Sequence, residues 1–329
     1  MGPLKPSDAF RLHASSPLIA SKGAPVTAPH KVFNHHTLRL SPSDAEDGTM
    51  SIELPEATIL AAQMDEALRG KQVIACHLQD YERLQRIGML NKDLAAFDRL
   101  VTGTIDAVMS RGKVLRVQLD NHMNLLLGPE YGGQVFYHAH AAAAPRKFHL
   151  KVEFRDGTAL TVRLISMGVL LALSDDELEA SYLYRRDFST QVPSPLDADF
   201  TLDRFAQRLT ENTRQLKAVL VGKDAVVVGL SNSAFQDIIY RARLHPKRRA
   251  SELTPKEQRS LYDAVQRVLH ERLRLQGKHQ FADLYGNQGG YTPAMGPNMK
   301  AQTCPACGTP IAKLQVGGGH VYFCPTCQL

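Results

Sequence analysis

Five cysteines occur in 329 residues, and four of them stand as two C-x2-C pairs, Cys304 with Cys307 and Cys324 with Cys327. Sixteen residues separate the pairs. Two short apolar runs, 311–316 and 321–323, flank Gly317, Gly318 and Gly319, so the spacing predicts a hairpin with a glycine turn. A hairpin brings four thiolates together, which is what tetrahedral Zn2+ requires. A pair of disulfides is the other reading, and no secretory signal precedes it. So small a segment buries little core, and one structural zinc would supply its folding energy.

Two further groups of residues have types that do chemistry. Glu53-Leu54-Pro55-Glu56 opens an apolar run with helical spacing through Leu68, with Pro55 suited to a first turn and Glu56 to a positive helix start. Ser231-Asn232-Ser233 precedes the apolar-periodic stretch 234–243, which makes Asn232 a helix cap or an anion site. Arg241, Arg243, Lys247, Arg248 and Arg249 follow closely. Residues 221–280 hold 12 Lys and Arg against 6 Asp and Glu, an excess equal to the +6 of the whole chain. Charge so localised is the footprint of a polyanionic partner, against the alternative of a solvated helix face.

The elements that must position these groups follow from periodicity. Residues 1–49 are rich in Pro, Ser, Ala and His and lack a period, which reads as a disordered extension or as a start at Met50. Strands are expected at 72–77, 103–109, 113–119, 123–127, 134–138, 148–154, 159–164 and 169–173. Their turn signals imply an antiparallel sandwich or barrel. Cys76 reads as a buried small hydrophobe in the first strand. After a short capped helix at 174–177 and a Pro-bearing linker, helices are expected at 201–210, from Asn212 through Leu220, at 234–243 and at 255–276. Thr254-Pro255-Lys256-Glu257 is a capping box at the start of the last. The Gly-rich loop 285–300, with Tyr285 and Tyr291 as aromatic faces, is long enough to suggest function. Length implies two or three domains. No run of about 18 apolar residues occurs, so a membrane span is not expected. Cysteine usage suits a reducing, intracellular compartment.

In this order the motifs resemble the formamidopyrimidine-DNA glycosylase / endonuclease VIII family of base-excision repair enzymes. The resemblance covers about residues 50–329. It is carried by Glu-Leu-Pro-Glu, by Arg111-Gly112-Lys113, by Gly229-Leu230-Ser231-Asn232, and by Cys-Gly-Thr-Pro and Cys-Pro-x-Cys-Gln in the finger. It implies an α+β multidomain protein: an antiparallel β-sandwich at 50–190, a helix–two-turns–helix domain at 198–284, and a loop plus zinc hairpin at 285–329. It further implies binding of damaged or abasic double-stranded DNA by a monomer near the nucleoid. Base flipping, glycosylase chemistry and lyase chemistry through a Schiff base would follow.

Residue by residue, Glu53 matches the family's catalytic Glu, Glu56 its second acid, Lys113 the β-domain lysine, and Asn232 the phosphate-gripping Asn. Ile52 stands where the family's nucleophilic Pro would be, and a start at Met50 would expose Ser51 as an amine. The arginine of the zinc hairpin falls near Gly319, leaving His320 as the nearest cation. The wedge that fills the gap in DNA has only Met167 as a counterpart. A non-catalytic damaged-DNA-binding protein on the same scaffold is the second reading. A zinc-ribbon protein of the RNA or translation machinery would explain the finger but neither Glu-Leu-Pro-Glu nor the 229–249 segment.

Overall fold

The computed structural model describes residues 52–329 apart from Gly132, Ser166 and Lys223, with the backbone alone at 130, 131 and 167. The 1–49 extension, Ser51 and the Met167 side chain therefore fall outside the described residues.

Helix α1 (Leu54–Leu68) starts where Pro55 and Glu56 direct it. The Glu56 carboxylate accepts from the Glu53 backbone N–H at 3.2 Å, satisfying one orphan donor of the helix start. Eight strands follow with short interruptions. β1 (Val73–Leu78) precedes a one-turn helix α2 (Glu82–Arg86). Then come β2 (Ile105–Arg111), β3 (Val114–Leu119), β4 (Met123–Tyr131), β5 (Gln134–His138), β6 (Leu150–Phe154), β7 (Ala159–Arg163) and β8 (Met167–Ser174). They form two four-stranded antiparallel sheets, ordered β2-β3-β4-β8 and β1-β6-β7-β5. Apolar residues from both sheets, among them Leu115, Leu127, Leu150 and Val162, pack into one core with Leu60, Met64 and Leu68 of α1. This is the expected sandwich. Cys76 on β1 is half-buried against that core, and burial pushes its thiol up to about 12.

Two short helices, α3 (Asp175–Ala180) and α4 (Tyr182–Asp187), lead to the linker. The helical half comprises α5 (Leu202–Thr210), α6 (Leu216–Val221), α7 (Asn232–Arg241) and α8 (Pro255–Arg274). The capping box on α8 is present, with Glu257 accepting from Thr254 N–H at 2.8 Å. The helix expected from Asn212 begins four residues later. Asn212 Oδ1 instead accepts from the backbone and side chain of Arg214 (3.2 and 3.0 Å), a local turn that competes with helix. Neither α2 nor α4 has enough apolar periodicity to be read beforehand.

The terminal hairpin pairs β9 (Ala312–Val316) with β10 (Gly319–Phe323), antiparallel, with Gly317 and Gly318 both at positive φ (49° and 75°). Such a turn needs residues that tolerate the left-handed region, and the glycines supply it. Val316 and Val321 of the hairpin enter the core of the helical half beside Leu216, Leu220 and Phe235. Gln236 on α7 accepts from Tyr322 N–H at 2.7 Å, and Gln328 donates to the Leu244 carbonyl at 3.0 Å. The zinc hairpin is thus part of the helical half. Among the described residues no helix is long and apolar enough to cross a membrane.

Candidate functional site

The four cysteines are free of disulfides, and their sulfurs lie within 4.8 Å of one another. Cys304 and Cys327 sulfurs are 3.9 Å apart, Cys307 and Cys324 sulfurs 3.5 Å. A tetrahedron with Zn–S bonds of about 2.3 Å has edges of roughly 3.8 Å, so the donor set fits one structural zinc held by Cys304, Cys307, Cys324 and Cys327. The disulfide alternative is set aside by the same geometry. The metal fixes the two ends of the hairpin and so fixes where its turn points.

The Glu-Leu-Pro-Glu segment lies between the two cores. Ile52 (2% exposed) and Ala57 belong to the sandwich core, whereas Leu54 belongs to the helical core. Leu54 N–H donates to the Gly229 carbonyl at 3.1 Å. Glu53 is fully buried. One carboxylate oxygen accepts from Ser231 Oγ and from Ala234 N–H (3.1 Å) at the start of α7. The other oxygen is ion-paired with Arg272 and lies 3.8 Å from Lys278 Nζ. Burial alone would raise the Glu53 pKa. Arg272, Lys278 and the two hydrogen bonds outweigh it and hold the carboxyl at about 2. At neutral pH Glu53 stays ionised, which suits an electrostatic partner and not a proton donor.

Glu56 completes the cluster. Arg272 Nη2 and Nε reach its two oxygens at 2.5 and 3.1 Å, and Lys278 N–H donates to it at 3.2 Å. Arg272 is shifted down by burial and, more strongly, up by the two glutamates. Lys278 is shifted down by burial, with the glutamates opposing. Neither Arg272 nor Lys278 was marked as functional by the sequence. A signal for Arg272 does exist: it continues the buried spacing of Leu261, Val265 and Val268 on α8, placing a cation on an apolar stripe.

Lys113 and Asn232 are brought towards one another through glycines. Gly229 has φ +87°, and a Cβ there would lie 2.8 Å from Gly112 Cα. The β2–β3 turn therefore rests on the turn before α7. Lys113 is half-buried and lines a cavity of about 750 Å³ together with Arg185, Asp187, Arg208 and Asp224. Asn232 opens α7 and donates to the His320 carbonyl on the zinc hairpin at 2.9 Å. The His320 side chain is exposed.

The basic run divides into two groups. Arg243, Lys247 and Arg249 are exposed. Arg241 is engaged inside the molecule: Nε lies 3.0 Å from Asp237 and Nη2 3.3 Å from the Tyr291 hydroxyl. Arg248 forks onto both oxygens of Glu257 at 2.9 and 3.1 Å. Charge counting could not separate these, because it does not record which acid each arginine meets: Asp237 one turn back on α7 for Arg241, and Glu257 at the start of α8 for Arg248. Tyr291 is buried at 3% and donates its hydroxyl to Asp237, so it anchors the 285–300 loop and is not a stacking surface. Tyr285 is 52% exposed and meets Tyr137 edge-on at 6.3 Å.

Comparison with known proteins agrees with this layout. The formamidopyrimidine-DNA glycosylase N-terminal domain matches residues 52–163, and the H2TH domain of the same enzymes matches 192–282. The zinc finger found in FPG and IleRS matches 301–329. The chain is 28% identical to the formamidopyrimidine-DNA glycosylase of Herpetosiphon aurantiacus, over 84% of this chain and 99% of the relative. It is 27% identical to that of Streptococcus pneumoniae, over 84% and 98%. The MutM (Fpg) protein of Thermus thermophilus superimposes with a TM-score of 0.69 at 26% identity, covering 84% of this chain and 98% of the other. Lactococcus lactis Fpg, solved in complex with DNA containing an abasic site, gives 0.71 at 23% identity, over 84% and 99%, a likeness of fold.

Proposed function

Because the chain belongs to the formamidopyrimidine-DNA glycosylase / endonuclease VIII family, we propose that it is a DNA-repair protein that grips damaged duplex DNA and excises the damaged base. The observation that carries this reading is the convergence of three elements. The β2–β3 turn with Lys113 rests on the turn before α7, α7 begins with Asn232, and Asn232 is bonded to the zinc hairpin at His320. A lysine, a helix start and a metal-fixed turn along one strip suit a phosphodiester backbone. Exposed Arg243, Lys247 and Arg249 add the diffuse positive field that draws DNA in. This reading assigns the protein to the intracellular compartment that holds the DNA, as a monomer.

The strand-cutting step is assigned apart from residue 52. In the chain as it stands, the Ile52 nitrogen is a peptide amide, and its side chain is committed to the sandwich core. Schiff-base formation needs an amine, and the two candidates we put forward are Lys113 and the α-amine of Ser51 in a chain that starts there. Borohydride trapping on duplex DNA with an abasic site distinguishes them, using protein that starts at Met1 and protein that starts at Met50. A cross-link at Ser51 in the short form alone, or at Lys113 in both, supports lyase chemistry at that amine. Salt-sensitive binding with base excision and no cross-link supports a glycosylase that uses water. Salt-insensitive binding sinks every DNA reading.

One observation favours a second reading, a damaged-DNA-binding protein that does not cut. Glu53, the match to the family's catalytic Glu, is spent on Arg272, Lys278 and the start of α7. Tight binding to lesion-bearing duplexes, with neither base release nor cross-link, would select this reading over the enzyme.

A further inference from the structure

Lys278 is an amine that the assignments above leave unused, and it stands beside Glu53 itself. Its Nζ lies 3.8 Å from the Glu53 carboxylate, and its backbone N–H donates to Glu56 at 3.2 Å. The residue sits where the chain crosses from one half to the other. Leu275, which closes α8, packs on the helical core, whereas Phe281 and Leu284 belong to the sandwich core. Lys278 is buried, at 3% exposure, but His279 and Gln280 after it are exposed, so it lies one residue beneath the surface of that seam.

Of the two cations on Glu53, only Lys278 can become a nucleophile. A guanidinium keeps its proton, whereas a lysine that sheds one in a dry setting is an amine that attacks carbonyls. Burial acts in that direction on Lys278, and the two glutamates act against it. The contacts divide the same way. Arg272 grips both glutamates directly, while Lys278 Nζ stands off at the end of a flexible four-carbon stem. Glu53 in turn binds Ser231 Oγ and Ala234 N–H, the residues on either side of Asn232 and Ser233. A nucleotide whose phosphate is held at Asn232 is thus next to the Glu53–Lys278 pair. Lys113, by contrast, lines the cavity of about 750 Å³, and Glu53 is not among the described residues that line it.

Resting on the base-excising reading above, we propose that Lys278 is the amine that forms a Schiff base with the abasic sugar, with the strand entering at the seam that His279 and Gln280 edge. Nζ attacks the C1′ aldehyde of the ring-opened sugar and forms the N–C1′ bond. Two of the three ammonium protons leave with the aldehyde oxygen as water, and the product is a cationic iminium. Glu53, which stays ionised, faces that positive charge and stabilises it. The competing account makes Lys278 a counter-ion of Glu53 and nothing more.

The test traps the adduct. Protein starting at Met1 is mixed with duplex DNA carrying an abasic site. Borohydride delivers hydride to C1′ and turns the iminium into a stable secondary amine, which peptide mass spectrometry locates. The expected cross-link is at Lys278 in the native chain, a result that depends on no variant. A cross-link that maps to Lys113 or to any other amine overturns the proposal. Lys278→Arg keeps a positive charge beside Glu53 but forms no imine. It is expected to lose the cross-link, while salt-sensitive binding to a duplex with a tetrahydrofuran analogue, which has no aldehyde, reports that it is folded. Trapping that survives in Lys278→Arg at the native yield makes the residue a counter-ion and overturns the proposal. Native protein that binds with a normal salt dependence and gives no cross-link overturns it as well, and leaves excision by water in place. Binding that ignores salt removes the DNA reading itself, which is a different failure.

Discussion

Glu53 is ionised, buried and bound from two sides, so its replacement has two separable consequences. In Glu53→Gln the contacts to Ser231 and Ala234 can be kept, but Arg272 and Lys278 lose a counter-charge. Removing one partner of a buried ion pair costs about 3–5 kcal/mol, and chemical denaturation should show a loss of that size. Excision is expected to vanish in the same variant; a stable variant that still releases the base would take Glu53 out of the chemistry. The same residue sets a pH dependence. Its folded pKa of about 2 lies below the ordinary 4.5, so its contribution to stability is fully present above about pH 4.5 and is lost as pH falls towards 2. A denaturation midpoint that falls across that window in the native protein, and falls less in Glu53→Gln, is the expected outcome. Glu53 was legible in the sequence as a candidate, because Glu-Leu-Pro-Glu is a motif. Its partners were not, because Arg272 and Lys278 reach it from more than 200 residues away, and no local pattern records that contact.

The elements themselves were largely legible. Eight strand segments and the long capped helix were expected within a few residues of where they stand, since alternation and capping residues are local signals. What failed were the pieces decided by side-chain competition or by packing: the Asn212 turn, the one-turn helices α2 and α4, and the division of the basic run into outward and inward arginines. The zinc hairpin makes the element-scale prediction. Its core contribution is a few residues, such as Val316 and Val321, so the metal holds its ends together. Chelation of zinc should abolish salt-sensitive DNA binding while the sandwich keeps its far-UV β signal. Binding that survives chelation would show that the hairpin is not part of the grip.

At the scale of the whole molecule, the two cores are joined by several hydrogen bonds and ion pairs, and Arg272 is the buried ionic joint among them. It sits at the end of α8 and reaches both glutamates at the start of α1. Arg272→Ala leaves two buried carboxylates with only Lys278, and should cost about 3–5 kcal/mol. Calorimetry is expected to show one transition in the native protein and two in the variant, as the sandwich separates from the helical half. A single unshifted transition would mean that the halves are held elsewhere. Beside that ionic joint lies the contact of Gly112 with Gly229, where backbone meets backbone without a side chain between. Mechanically it is a spacer: two halves whose bare backbones already touch here cannot come closer at this point. The bulk of those two residues therefore sets the resting aperture of the jaws, and a methyl added at Gly229 would prop them open without touching a single charged group.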